Sequence, residues 1–260
     1  MAIHPTSFVD PEAELGAEVE IGPFCIVAGG VRIGDGTRLG PHCVIKRGVT
    51  VGSGCELDVG VVLGSEPQDK KFKGEESFVR IGDNNLIREY VTVHRATGEG
   101  LATVVGNDNF LMAYTHLGHN VELGDGIMIA SFTGLAGHVS IGDRAVIGGI
   151  VGVHQYVTVG RMTMLGGSSA VTRDVPPFAV TAGNPAGLHG INVIGLERNG
   201  VGQEDRMALR RAFRAIYRSD LNTSDAIAAL RADGPLPELV KEFVEFIERI
   251  DQGHRGRQKN

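Results

Sequence analysis

The sequence predicts a mainly β chain, a parallel β-solenoid of six-residue repeats followed by a small α-helical domain. Three observations carry this. An aliphatic residue recurs at every sixth position over most of the chain, glycine supplies 38 of 260 residues, and a helical pattern begins only near residue 202. Counted in sixes from Val9, the positions are Val9, Leu15, Ile21, Val27, Ile33, Leu39, Ile45, Val51, Leu57 and Leu63, all aliphatic. Counted from Val105 to Val171, every sixth residue is again aliphatic. Ile81, Ile87 and Val93 hold the same phase between the two runs, and only Asp69, Glu75 and Glu99 break it.

A period of six suits neither an amphipathic helix nor a long alternating strand. It suits a short strand plus a turn. Three such hexads make a triangular coil of 18 residues, and stacked coils pair as parallel strands about 4.8 Å apart. The aliphatic anchors then fill the interior. Small or β-branched residues four places on, such as Val19, Cys25, Cys43 and Cys55, fill the remaining interior slots, so the three cysteines read as packing residues. Glycine is common one place after each anchor (Gly16, Gly34, Gly52, Gly124), where it is expected to provide the positive φ of the corners. The solenoid is expected over residues 1–190, with external loops at 65–78 and 97–103, where the aliphatic anchors lapse. The segment TAGNPAGLHG (181–190) reads as a loop.

Residues 191–260 read as helical. Leu209, Phe213, Ile216 and Tyr217 form an apolar stripe, Ser224 is placed to cap a helix from Asp225, and Pro237 opens a last helix carrying Val240, Phe243, Val244, Ile247 and Ile250. The tail HRGRQKN is expected to fray.

Composition excludes several classes. No run of 18 apolar residues is present, and the N-terminus lacks a basic segment followed by an apolar one, so neither a membrane span nor a secretory signal is expected. Three cysteines suit a reducing cytosol, and a cytoplasmic location is expected. A net charge of −6 disfavours nucleic acid as partner.

The solenoid arithmetic brings distant histidines together. His138 follows His119 by one coil plus one position, and His154 follows His116 by two coils plus two positions. All four are expected along one longitudinal surface near a corner. A row of imidazoles there fits a metal site, a general base acting on a hydroxyl, or polar filling of a subunit seam, and spacing alone leaves all three open. No serine or cysteine nucleophile stands beside them in a recognisable motif, which favours direct transfer over a covalent intermediate. Gly137 offers a backbone N–H beside the histidines that suits an oxyanion. Asp69, Lys70 and Lys71 lie in the first loop. Arg206, Arg210, Arg214 and Arg218 recur every fourth residue, with Arg211 beside them, as a basic helical ridge suited to an acidic partner or a phosphate.

The segments GPFCIV (22–27), QDKKFKGE (68–75), VTVHRAT (91–97), THLGHN (115–120), LAGHVSIGD (135–143), VHQY (153–156), VTRDVPPFAV (171–180) and GINVIGLER (190–198) together resemble the UDP-N-acetylglucosamine 3-O-acyltransferases, which open lipid A synthesis. The resemblance spans nearly the whole chain. It implies a left-handed parallel β-helix, a homotrimer with its active sites between subunits, and transfer of a 3-hydroxyacyl chain from acyl carrier protein to the sugar 3-position. No metal or cofactor is implied. His119 matches the general base, Gly137 the oxyanion donor, and His116, His138 and His154 histidines that position substrate. Asp69 and Lys71 match loop contacts to the sugar and phosphates; Gln155, Asn192 and Arg198 match nucleotide contacts. Gly167 falls where the family gauges acyl length and leaves room for a longer chain. An acidic carrier protein gives the ridge Arg206, Arg210, Arg211, Arg214 and Arg218 a partner. Three departures stand out: Asn120 replaces the usual Asp beside the base, Ile194 a Glu, and Asn199 a basic residue. The alternatives are a hexapeptide-repeat γ-class zinc carbonic anhydrase, a UDP-3-amino-sugar N-acyltransferase and a non-enzymatic β-helix scaffold.

Overall fold

The computed structural model describes residues 2–258. Short strands, most of two residues, recur in the hexad phase from Ala2–Ile3 to Ala170–Val171 and, with two more that follow, form three sheets of 11, 9 and 8 strands, the faces of a triangular prism. Most parallel pairs join positions one coil of three hexads apart, as in Glu20 opposite Arg38 and Gly134 opposite Gly152. Leu86 pairs with Glu56 and His116 with Thr92, so the first interruption lengthens its coil by two hexads and the second by one. Both insertions are whole hexads, which is why the anchors resume in phase.

The anchors stack in the prism interior, where Ile45, Leu63, Leu117, Leu135 and Ile147 are fully buried. Cys25, Cys43 and Cys55 fill small interior slots beside them. Each buried aliphatic contributes about 1.5–3 kcal/mol of transfer free energy, so the column of anchors outweighs any single corner.

The glycines of the repeat act differently from expectation. The positive-φ residue of each corner lies three places after the anchor and is often not glycine: Tyr90, Tyr114, Asn120, Phe132, His138, Ile150 and Tyr156 all occupy it. Glycine one place after the anchor is needed instead for close stacking. A Cβ on Gly34 would lie 2.6 Å from the Ser53 backbone N of the next coil, inside any tolerable contact. Those glycines let coils approach; the corners accept L-residues at some cost in strain.

Past Val171 the chain departs from the sequence reading in three ways. Residues 181–190 are no loop: Ala179–Gly183 pairs in parallel with Met164–Leu165, then antiparallel with Ala186–Ile191, closing the end of one sheet. A short helix α1 (Val193–Arg198) precedes the expected ones. It is followed by α2 (Gln203–Tyr217), α3 (Thr223–Ala232) and α4 (Glu238–Gln252). The cap of α3 is Asn222, whose side chain accepts from Asp225 N at 2.9 Å, two places before the expected Ser224.

Residues 254–258 of the tail are also not frayed; Lys259 and Asn260 lie outside the described residues. Asp174 N donates to Gly256 O at 2.8 Å, Gln258 N to Asp174 Oδ2 at 2.7 Å, and Arg257 is 7% exposed. A second core made by Phe213, Ile216, Phe243, Val244 and Ile247 joins the helices to Phe178 and Met162 of the solenoid. Arg161 grips Glu242 of α4 with two guanidinium nitrogens, at 2.8 and 2.7 Å, and lies over the Phe178 ring.

Candidate active site

The register of one sheet builds the site. Leu117, Leu135 and Val153 are paired anchors on successive coils. One place on stand Gly118, Ala136 and His154; two on, His119, Gly137 and Gln155; three on, at the corner, Asn120, His138 and Tyr156. His116, His119, Gly137, His154 and Gln155 therefore line one groove of about 620 Å³, with Gln68 of the 66–77 segment at its side.

His138 sits apart from the other three. It occupies the corner itself, stacks on Tyr156 with centroids 4.6 Å apart and meets the His119 ring edge-on at 5.1 Å. It lines a second cavity with Asn120 and Tyr156. Expectation put all four histidines on one surface; the structure puts three in the groove and the fourth around its edge, because the positive-φ position swings a side chain off the sheet face. Burial pushes His138 below the ordinary imidazole range, with the neighbouring His119 adding to this and Asp69 opposing it. Burial likewise lowers His116, helped by His94.

His119 has a determinate tautomer. Its Nδ1 lies 2.9 Å from Asn120 Oδ1. The orientation of that carboxamide is set elsewhere: Oδ1 accepts from Thr97 N at 2.9 Å and Nδ2 donates to Thr97 O at 3.1 Å. An oxygen that already faces a backbone donor can only accept from imidazole, so Nδ1 carries the hydrogen and Nε2 keeps its lone pair. Gly137 packs against the face of that ring at Nε2. A Cβ there would strike His119 Nε2, and among the described residues no acceptor takes the Gly137 N–H. A base nitrogen and a free backbone donor thus share one small space.

The two interruptions close over this site and hold each other. Gly98 N donates to Glu75 Oε1 at 2.9 Å, Gly100 N to Glu76 O at 2.8 Å. Asp69 is half-buried in a turn, its Oδ1 accepting from Lys71 N at 2.9 Å, and both residues act electrostatically on His138. His94 Nδ1 donates to Glu66 O at 2.6 Å, and the His94 ring packs edge-on against His116 at 5.1 Å. Thr92 Oγ1 shares a hydrogen bond with His116 Nδ1 at 2.9 Å.

Other expected site residues lie outside the groove. Asn192 is 9% exposed and its amide caps α1, accepting from Gly195 N and donating to Met162 O, so within one protomer it is not free for a nucleotide. Arg198 is exposed at the end of α1. Gly167 lies at a different corner, beside Gly149. Arg206 leaves the basic ridge: its side chain is 17% exposed and pairs with Glu197 at 3.4 Å, while Arg210, Arg211, Arg214 and Arg218 remain exposed. His94, Tyr156 and Thr97 escaped the sequence reading. His94 had a usable signal, since it follows anchor Val93 as His154 follows Val153. Among the described residues no group of three or more His, Cys, Asp or Glu side chains within the protomer could hold a metal ion.

The stacked short parallel coils are a hexapeptide-repeat architecture, and residues 12–47 and 102–137 match the bacterial transferase hexapeptide repeat. Residues 174–257 match the second domain of UDP N-acetylglucosamine O-acyltransferase. The chain is 46% identical over 262 residues to an acyl-[acyl-carrier-protein]–UDP-N-acetylglucosamine O-acyltransferase of Ralstonia nicotianae, covering 96% of this chain and 97% of that one. It is 42% identical over 254 residues to the protein of the same name from Thermodesulfovibrio yellowstonii, covering 96% and 98%. The crystal structure of a UDP-N-acetylglucosamine acyltransferase from Bacteroides fragilis superposes with a TM-score of 0.92 at 40% identity, covering 95% and 96%. The chain belongs to the acyl-[acyl-carrier-protein]–UDP-N-acetylglucosamine O-acyltransferase family, and its solenoid is the left-handed parallel β-helix of that family.

Proposed function

We propose that the chain transfers a 3-hydroxyacyl group from acyl carrier protein to the 3-position of UDP-N-acetylglucosamine, the first step of lipid A synthesis. The observation that carries the reaction's assignment to this groove is that His119, its Nε2 lone pair left free by the Asn120 bond, packs against Gly137, whose N–H has no acceptor among the described residues. His119 takes the proton of the sugar 3-hydroxyl as its oxygen attacks the thioester carbonyl. Gly137 N–H stabilises the oxyanion, and the tetrahedral intermediate collapses with loss of the carrier thiolate, which recovers the proton. Asn120 orients the imidazole through a neutral acceptor rather than a carboxylate. His116, His138 and His154 position the sugar, Asp69 and Lys71 its polar head, and Gln155 the nucleotide side.

We further propose that three copies assemble. Tyr90, Tyr114 and Phe132 stack along one corner, 5.1 and 5.0 Å between rings, with Ile150 next in the column. Ile150 is 66% exposed and held at φ +59°, an unfavourable state for a β-branched residue. Exposed apolar side chains kept on a strained corner are accounted for by burial against another copy. Gly167 adjoins that corner, so the acyl chain lies between subunits there, and Arg198 and the α1 loop reach the nucleotide of the neighbouring site. The exposed Arg210, Arg211, Arg214 and Arg218 receive the acidic carrier.

Incubation with UDP-N-acetylglucosamine and hydroxyacyl carriers of several lengths, with mass analysis of the product and its lability to mild base, reads acyl length and distinguishes ester from amide. His119→Ala is expected to lower kcat about 10²–10⁴-fold. Near-normal turnover would remove His119 as the base.

A further inference from the structure

The C-terminal tail reaches the site, and it does so through Arg257. The end of the chain makes a tight turn: His254 N donates to Arg257 O at 2.9 Å and Arg257 N to His254 O at 3.1 Å. Asp174, just past the last full coil, clamps the turn through Gly256 O and Gln258 N. Arg249 of α4 adds a bond to Gln258 Oε1 at 3.0 Å. Arg257 is thereby buried beside the groove. Its Nη1 lies 2.8 Å from His154 Nδ1 and 2.9 Å from Gln155 O.

We infer that Arg257 is a positioning residue that locks His154 in one tautomer, with Nε2–H presented to substrate. A guanidinium has donors only and does not give up its proton near neutral pH. So short a contact between Nη1 and Nδ1 is therefore a bond in which Nδ1 accepts. Nδ1 has one competing contact, 3.1 Å to Gln155 O, in which it would have to donate. The shorter 2.8 Å contact to a guanidinium, which can only donate, leaves no room for a hydrogen on Nδ1, and the two hydrogens of Nη1 go to Nδ1 and to the Gln155 carbonyl. With Nδ1 as acceptor, the hydrogen of neutral His154 must be on Nε2, which has no protein partner among the described residues. His119 is held the opposite way, Nδ1–H to Asn120 and Nε2 bare. One groove thus displays two imidazoles of opposite character: His119 offers a lone pair to a hydroxyl, and His154 offers an N–H to an acceptor oxygen of the sugar nucleotide. Histidine side chains alone, free to change tautomer, would not hold that division. The tail and the Thr97–Asn120 pair impose it from opposite sides.

The tautomer assignment stands on geometry alone; its consequence for substrate rests on the proposed reaction. The test uses the full chain labelled with 15N in histidine, at pH about 8 where imidazole is neutral. His154→Gln identifies the His154 signals in long-range 1H–15N spectra. His154 is expected to show the Nε2–H pattern, Arg257→Gln to give a tautomer mixture, and Arg257→Lys, which keeps a donor, to restore it in part. In the acyl-transfer assay Arg257→Gln is expected to raise KM for UDP-N-acetylglucosamine about tenfold, the worth of one hydrogen bond, while kcat stays within about threefold. An Nδ1–H pattern in the wild type, or a His154 signal indifferent to Arg257→Gln, overturns the inference whether or not the enzyme turns over. An Arg257-dependent tautomer in a chain without transfer activity would sustain the inference and overturn the reaction instead.

Discussion

Placing one methyl group at Gly137 probes the site at its narrowest point. The backbone there does not need glycine for its conformation, since Gly137 is not among the positive-φ residues. The new Cβ would nevertheless strike His119 Nε2 and lie 3.0 Å from Cδ2. Ordinary nonbonded separation is about 3.5 Å, so the ring must retreat by roughly 1 Å, or turn off its rotamer at a cost of about 0.5–1.5 kcal/mol. Either motion stretches the bond to Asn120, worth about 1 kcal/mol. The fold should lose only about 1–3 kcal/mol. A base displaced by about 1 Å costs on the order of 10²-fold in rate, so Gly137→Ala should lower kcat at least that far. The measurement is steady-state acyl transfer beside a urea melt, with Gly190→Ala, where an added methyl meets nothing, as the reference substitution. A folded Gly137→Ala enzyme with kcat within about threefold of wild type would mean that His119 Nε2 is not where the proton goes.

Two further outcomes follow from packing and charge. Leu117 is fully buried between two paired coils, and Leu117→Ala should cost about 2–5 kcal/mol in urea unfolding; a loss below about 1 kcal/mol would mean that the interior column collapses around a gap. His116 and His138 titrate below their unfolded value of about 6.5. Between the folded and unfolded values the unfolded chain binds more protons, so stability should fall as pH is lowered through about 6.5 toward the folded values. His138→Gln should flatten that decline in urea melts at a series of pH values, and an unchanged slope would contradict the burial of its ring.

The prism was legible because a hexad repeat is short-range information. Each anchor meets its counterpart one coil away, so counting in sixes places Leu117 under Leu135 and Val153 without knowledge of any other contact. The same count sets Gly137 one coil on from His119 and would have placed His94 too. It failed at the corner, where Asn120, His138 and Tyr156 take positive φ and turn away from the face that carries His116 and His154. It also misread the glycines, because close approach of stacked backbones at Gly34 is invisible in a one-dimensional pattern.

Composition and period alone determined the solenoid, the inward cysteines and the helices that follow it, since these depend on which residues leave water at a repeating interval. Tertiary structure decided which nitrogen of each imidazole bears hydrogen, where the tail goes and which arginines stay exposed. Those outcomes turn on single donors meeting single acceptors far apart in the chain, Arg257 with His154 and Thr97 with Asn120, and hydrogen bonds are directional over a few tenths of an ångström. Hydrophobic burial has no such direction, so its pattern survives in the sequence, whereas the directional contacts exist only once the chain has closed on itself.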